Sequence, residues 1–136
     1  MSDVPKLLQT VLDGTDVRAL AEFWRLFLGW DYRPGHETTD PEGDEWLVVV
    51  EPGGTRRLAF QQVAELPRST WPDNGKVPQQ LHLDLMVADV EALDAQHERA
   101  LGLGATLLDD SRQRDPEEPL RVYADPAGHP FCVFVG

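Results

Sequence analysis

From Leu81 to Met86 apolar and polar residues nearly alternate, placing Leu81, Leu83 and Leu85 on one face and His82, Asp84 and Met86 on the other. A period of two predicts a strand whose leucine face packs on an apolar partner. Its other face turns a histidine and a carboxylate toward open space. Asp89 then stands as an N-cap, and Val90, Leu93, His97, Ala100 and Leu101 recur at helical spacing up to Gly102. The same succession occurs near the N-terminus. Leu7 to Asp13 predicts a strand, Asp16 an N-cap, and Val17, Leu20, Trp24, Phe27 and Leu28 a helix closed by Gly29. Trp30 to Arg33 reads as a short strand, followed by a loop rich in Gly, Pro, Asp and Thr. Trp46 to Glu51 and Arg57 to Val63 read as two further strands joined by a Pro52-Gly53-Gly54 turn.

Laying Leu8 on Leu81 also lays Leu12 on Leu85, Asp16 on Asp89, Val17 on Val90, Ala19 on Ala92, Leu20 on Leu93, Leu28 on Leu101 and Gly29 on Gly102. That exceeds the one or two identities expected by chance, on the order of what composition alone supplies. One inserted residue in Gly102-Leu103-Gly104 then lays Glu51-Pro52-Gly53-Gly54 on Asp125-Pro126-Ala127-Gly128 and Phe60 on Phe134. Two copies of a βαβββ module follow, one over residues 7–63 and one over 80–136, within a single domain of residues 1–136. Residues 64–79 hold Pro67, Pro72, Asn74-Gly75 and Pro78 and read as the linker. The expected fold is α+β: the two modules form a cupped, mainly antiparallel eight-stranded sheet with flanking helices.

The remaining composition narrows the function. At 136 residues and 41% apolar content the chain is long enough for its own core. No apolar run reaches membrane-spanning length, and Met1 to Lys6 lacks the pattern of a signal peptide, so a cytoplasmic protein is expected. The single cysteine, Cys132, excludes an internal disulfide. A formal charge of -12 argues against nucleic acid and anionic membranes as partners. No P-loop or dinucleotide fingerprint is present.

Three passages carry a resemblance: the turn Asp125-Pro126-Ala127-Gly128-His129 before the final strand, the strand His82-Leu83-Asp84-Leu85, and Leu20-Ala21-Glu22-Phe23-Trp24 leading to Leu28-Gly29-Trp30. With the paired modules, they make the chain resemble the vicinal oxygen chelate superfamily, which includes glyoxalase I, bleomycin-resistance proteins and extradiol dioxygenases. It looks most like the small glyoxalase-like domains of that group. The resemblance implies a homodimer and a small-molecule ligand. In metal-dependent members, it implies a divalent cation held by four side chains, one from the first and one from the last strand of each half. Gln9 and His82 match the first-strand positions. The last-strand positions, normally glutamate, match Cys132 and, through the repeat, Leu58. The four-ligand set is therefore not intact; Gln61 or Gln62 substitutes in part only if the first half has slipped by a few residues, and an amide oxygen is a weak ligand.

His82 and Asp84 are the candidate catalytic pair, suited to general acid–base work or to anchoring a ligand. Gln9, Phe60, Gln62, Met86 and Cys132 are expected to join them in lining the cup. Asp13 stands near its rim or starts the turn before Asp16. Cys132 in Phe131-Cys132-Val133-Phe134 reads first as core packing and only second as a nucleophile. His97 reads as a half-buried helix residue, His36 as solvent-exposed, and His129 as a turn residue. Trp46 lines the cup or the core; Trp71 caps a pocket, packs on the sheet or buries at a subunit contact. Two function classes remain: an enzyme (lyase, isomerase or dioxygenase) and a protein that sequesters a small molecule without chemistry.

Overall fold

The computed structural model describes residues 4–73, 75–111 and 115–136, so Met1–Asp3 and Asn74, both used above, lie outside the described residues. The chain divides into two compact units, residues up to Glu65 and residues from Leu66 onward. The stretch 66–79 thus belongs with the second module.

The first unit runs β1 (Thr10–Gly14), α1 (Val17–Leu28), β2 (Asp31–Tyr32), β3 (Trp46–Val50) and β4 (Arg56–Gln62). Its sheet has the order β1-β4-β3-β2, with β1 parallel to β4 and the other two pairings antiparallel. The second unit repeats the plan with β5 (Leu83–Val87), α2 (Val90–Leu103), β6 (Thr106–Asp110), β7 (Leu120–Ala124) and β8 (Pro130–Val135), in the order β5-β8-β7-β6. Again one pairing, β5 with β8, is parallel and two are antiparallel. The expected strands are thus present as two four-stranded mixed sheets. Among the described residues no helix is long and apolar enough to cross a membrane.

The helix ends follow the residue chemistry closely. Asp16 Oδ1 accepts from Ala19 N at 3.2 Å, and Asp89 Oδ1 accepts from Ala92 N at 2.7 Å, so both caps satisfy an orphan N–H of the first turn. Gly29 closes α1 at φ 70°, a left-handed conformation that side-chain-bearing residues avoid. In α2 that role falls to Gly104, not Gly102, because the second helix runs two residues longer. The helices differ in how they grip their sheets. α1 buries Val17, Leu20, Ala21, Phe23, Trp24 and Phe27, while α2 buries only Leu93 and Ala100. Polar contacts make up the difference on α2. Buried Arg121 of β7 reaches Asp94 at 3.0 Å, and His97 Nδ1 lies 2.8 Å from the hydroxyl of Tyr123.

One irregularity decides which residues share a face. In the first sheet Val50 pairs with Arg56 but Val49 pairs with Leu58, leaving Arg57 as a bulge residue on β4. In the second sheet the equivalent run is regular: Ala124 pairs with Pro130, Tyr123 with Phe131 and Val122 with Cys132. Equivalent positions on β4 and β8 therefore slip by one past the bulge. Leu58 corresponds to Phe131, Ala59 to Cys132 and Phe60 to Val133. Because side chains alternate, a slip of one exchanges faces.

Candidate functional site

Gly14 faces α1, since a Cβ there would stand 2.9 Å from Leu20. Its parallel partner Gln62 faces the same way, as do Phe60 opposite Leu12 and Leu58 opposite Thr10. This corrects the expectation that Phe60, Gln62 and Leu58 share the face of Cys132. Phe60 is wholly buried beneath α1. Gln62 is occupied in holding the start of α1: its Oε1 accepts from Val17 N at 2.9 Å and its Nε2 donates to Thr15 O at 2.7 Å. The bulge at Arg57 is the cause, because it reverses the parity on which the repeat alignment relied.

Gln9 lies in the first unit just ahead of β1, and its Oε1 accepts from Arg56 Nε at 3.2 Å. Asp13 is half-buried on the same side of β1 as Val11, opposite Gln61 of β4. Trp46, 41% exposed, pairs with Gln61 and so belongs to that face and not to the core. His36 is not the free loop residue expected. It is half-buried and its Nδ1 accepts from Val48 N at 2.9 Å, which ties the 33–45 loop back to β3; burial, with Arg33 and Arg18 nearby, pushes its pKa down.

The second unit brings four expected residues together. On β5, His82 precedes the ladder while Asp84 pairs with Cys132 and Met86 with Phe134, all directed away from α2. His82 Nε2 lies 3.2 Å from Asp84 Oδ1. One ligand atom each from His82, Asp84 and Cys132 falls within 4.8 Å of the others. Met86 is exposed beside them, and its sulfur sits against the position a Cβ on Gly136 would take. The other ring nitrogen of His82, Nδ1, lies 3.0 Å from Gln79 Oε1. Trp71 stacks flat on the imidazole, with centroids 5.1 Å apart and planes at 9°. Next to Trp71 in the chain, Thr70 N donates to Val77 O at 2.7 Å, and Val77 N donates to Thr70 Oγ1 at 3.1 Å. Gln79 and the placement of Trp71 over His82 were not legible beforehand, since a proline-rich segment carries no period from which to place a side chain.

The turn after β7 braces the strand that bears Cys132. Asp125 is wholly buried, and its Oδ1 accepts from Ala127 N at 2.9 Å and His129 N at 3.0 Å. Burial pushes the Cys132 thiol up to about 11, and the negative charge of Asp84 adds to the shift. The thiol is therefore neutral at pH 7, which argues against a free nucleophile. In metal-free protein, alkylation of Cys132 by iodoacetamide at pH 8 is expected to run roughly a hundredfold slower than that of an exposed thiol. The rate should climb with pH toward about 11, the direction set by loss of the thiol proton. A plateau near pH 8, read by mass spectrometry, contradicts the described burial.

The oxygen-rich four-ligand set implied by the resemblance does not fit these residues. Leu58 is apolar and buried, and Ala59, the true counterpart of Cys132, carries no donor. The Gln9 oxygen is bonded to Arg56, and sulfur stands where the second carboxylate would be. What the second unit offers instead is a compact nitrogen, oxygen and sulfur group.

Two mixed βαβββ sheets, with polar side chains on the first strand of the second, define a protein of the paired-module class. A profile of the glyoxalase-like domain matches residues 9–134, and the chain belongs to that family. Comparison with curated proteins returns no match. Solved structures similar in fold include lactoylglutathione lyase from Agrobacterium tumefaciens (20% identity over 99% of this chain and 96% of that one, TM-score 0.60). A glyoxalase/bleomycin resistance protein/dioxygenase family enzyme from Burkholderia phytofirmans PsJN is similar over 96% of this chain and 98% of that one (16% identity, TM-score 0.66). The fosfomycin resistance protein FosX from Listeria monocytogenes, complexed with Mn(II) and sulfate, is similar over 98% and 93% (16% identity, TM-score 0.66).

Proposed function

We propose that this glyoxalase-like chain binds a small organic molecule against the face of β5 that carries His82, Asp84 and Met86. His82 and Asp84 act there as polar anchors and as the pair that moves a proton to or from the bound molecule. The observation that carries the reading is the 3.2 Å approach of His82 Nε2 to Asp84 Oδ1 on a solvent-open strand face. A strand that served only the core would be apolar on both sides or hydrogen-bonded to its neighbours. Met86 and Trp71 supply apolar surface beside the polar pair, which suits a ligand with a carbon skeleton and a few polar groups. The sequestering alternative draws on the Trp71–His82 stack, a rigid platform suited to holding a planar ligand, and differs only in lacking turnover.

The test is a thermal-shift screen of small hydroxy acids, ketones and aromatic amines, run with and without chelator. A probe at about a hundredfold its Kd stabilises by about 2.7 kcal/mol. That shift is expected to vanish in His82→Ala and Asp84→Ala and to persist in Leu101→Ala, an exposed position on α2 behind the sheet. A full shift in both site variants sinks the assignment.

A further inference from the structure

Three donor atoms of different kinds meet across one pair of strands in the second unit, and only one of them is a carboxylate oxygen. We propose that His82 Nε2, an Asp84 carboxylate oxygen and Cys132 Sγ form a divalent-metal site contained in this one module, selective for borderline-soft ions such as Zn2+. A fourth position is left for solvent or a small ligand. The site goes beyond the small-molecule reading: it shares residues with that reading but stands on donor geometry alone. It also departs from the set implied by family resemblance, which draws on both modules and on two carboxylates.

Geometry argues first. His82 Nδ1 lies 3.0 Å from Gln79 Oε1 and Nε2 lies 3.2 Å from Asp84 Oδ1, so the nitrogen and the carboxylate oxygen stand where one proton, or one cation, is shared between them. With Zn–N and Zn–O near 2.0–2.1 Å and Zn–S near 2.3 Å, a tetrahedral site has donor–donor edges of roughly 3.3–3.6 Å. The 3.2 Å His82–Asp84 separation already matches such an edge. The sulfur, within 4.8 Å, is brought in by closure of about 1 Å. Asp84 is exposed and has room to rotate, while His82 is held by Trp71 and Gln79 and the β8 backbone bearing Cys132 stays paired on both sides.

The donor set then selects the ion. Carboxylate and water suit Mg2+ and Mn2+, whereas thiolate with imidazole suits Zn2+ and its neighbours, and Mn2+ binds most weakly of the common first-row ions. On binding, Cys132 releases its thiol proton to solvent and coordinates as thiolate. The surroundings are those of a metal-bearing histidine. Such a ring donates its second N–H to a fixed acceptor, here Gln79, and Trp71 holds the ring plane by stacking. Three protein ligands with an open position also characterise ions that polarise a bound carbonyl or water, which is what the metal would supply here.

Co2+ titration of the chelator-treated, dialysed full chain tests the site without any activity assay. The expected result is a thiolate-to-cobalt charge-transfer band in the near ultraviolet, saturating at one ion per chain. Zn2+ should displace it, and equal concentrations of Mn2+ or Mg2+ should not. Cys132→Ser, or Cys132→Ala should the hydroxyl disturb β8, should remove the band while circular dichroism stays unchanged. Gln79→Leu should weaken Co2+ binding by about 10–100-fold. The proposal is overturned by folded wild-type protein without the band, by a band that survives loss of Cys132, or by Mn2+ competing as well as Zn2+. A chelator-resistant thermal shift with an organic probe would then still stand, so the two readings fail separately.

Discussion

Trp24→Ala is expected to destabilise the first unit by about 4 kcal/mol, near the top of the range for a buried aromatic truncation. Trp24 is fully inaccessible. It sits edge-on to Phe23 at 5.2 Å and to Phe27 at 6.4 Å, and those two rings stack on each other at 5.5 Å. Removing the indole loses its transfer free energy and leaves a void between α1 and its sheet, and ring-to-ring geometry is lost with it. Urea unfolding followed by circular dichroism measures the effect. Trp46→Ala is the control: with 41% exposure it should cost less than about 1 kcal/mol. Equal losses for the two would contradict the packing of α1.

Arg121→Met is expected to cost about 3 kcal/mol despite nearly preserving volume. The guanidinium is buried at 5% exposure on the α2 side of β7. Its Nη2 lies 3.0 Å from Asp94 Oδ1 on α2 and its Nε 3.2 Å from Asp110 Oδ1 on β6, while Nη1 donates to Leu93 O at 3.4 Å. The Nε approach is an ion pair without hydrogen-bond alignment, so charge and not direction holds it. Removing the cation leaves two carboxylates facing a neutral side chain at a partly buried seam. Their partial exposure, 47% and 29%, keeps the cost at the lower end of the range for a broken buried pair. Adding Asp94→Leu and Asp110→Leu should recover most of the loss in chemical denaturation, because the charges then vanish together. No recovery in the triple variant would show that Arg121 acts through packing alone.

The contrast between these two sites explains what could be read from residues alone. α1 is visible as a stripe because its grip is apolar, and period is a property of apolar residues. α2 holds its sheet through Arg121, Asp94, His97 and Tyr123, and polar contacts between distant residues leave no periodic trace. The caps at Asp16 and Asp89 were legible because an N-cap is a local event between a side chain and an N–H three residues on. Both first strands were placed too early: Leu7 and Leu81 are exposed, and the parallel ladders begin only at Thr10 and Leu83, where β4 and β8 supply partners. On the site, alternation alone put His82, Asp84 and Met86 on one face. The parity of β4 was missed because a bulge is a long-range accident of pairing. The repeat alignment saw Cys132 as a lost ligand; only the register of β8 against β5 shows it beside Asp84.

The bulge at Arg57 also matters to anyone who would redesign this scaffold. A donor transplanted from the second module to the first by counting along the chain from the Gly54 and Gly128 turns would arrive at residue 58, beneath the helix. Counted from the strand partners, it arrives at residue 59, beside Val11 on the face turned away from α1. Symmetrising this protein, so that both sheets carry matching donors, is therefore a problem of register before it is one of residue choice.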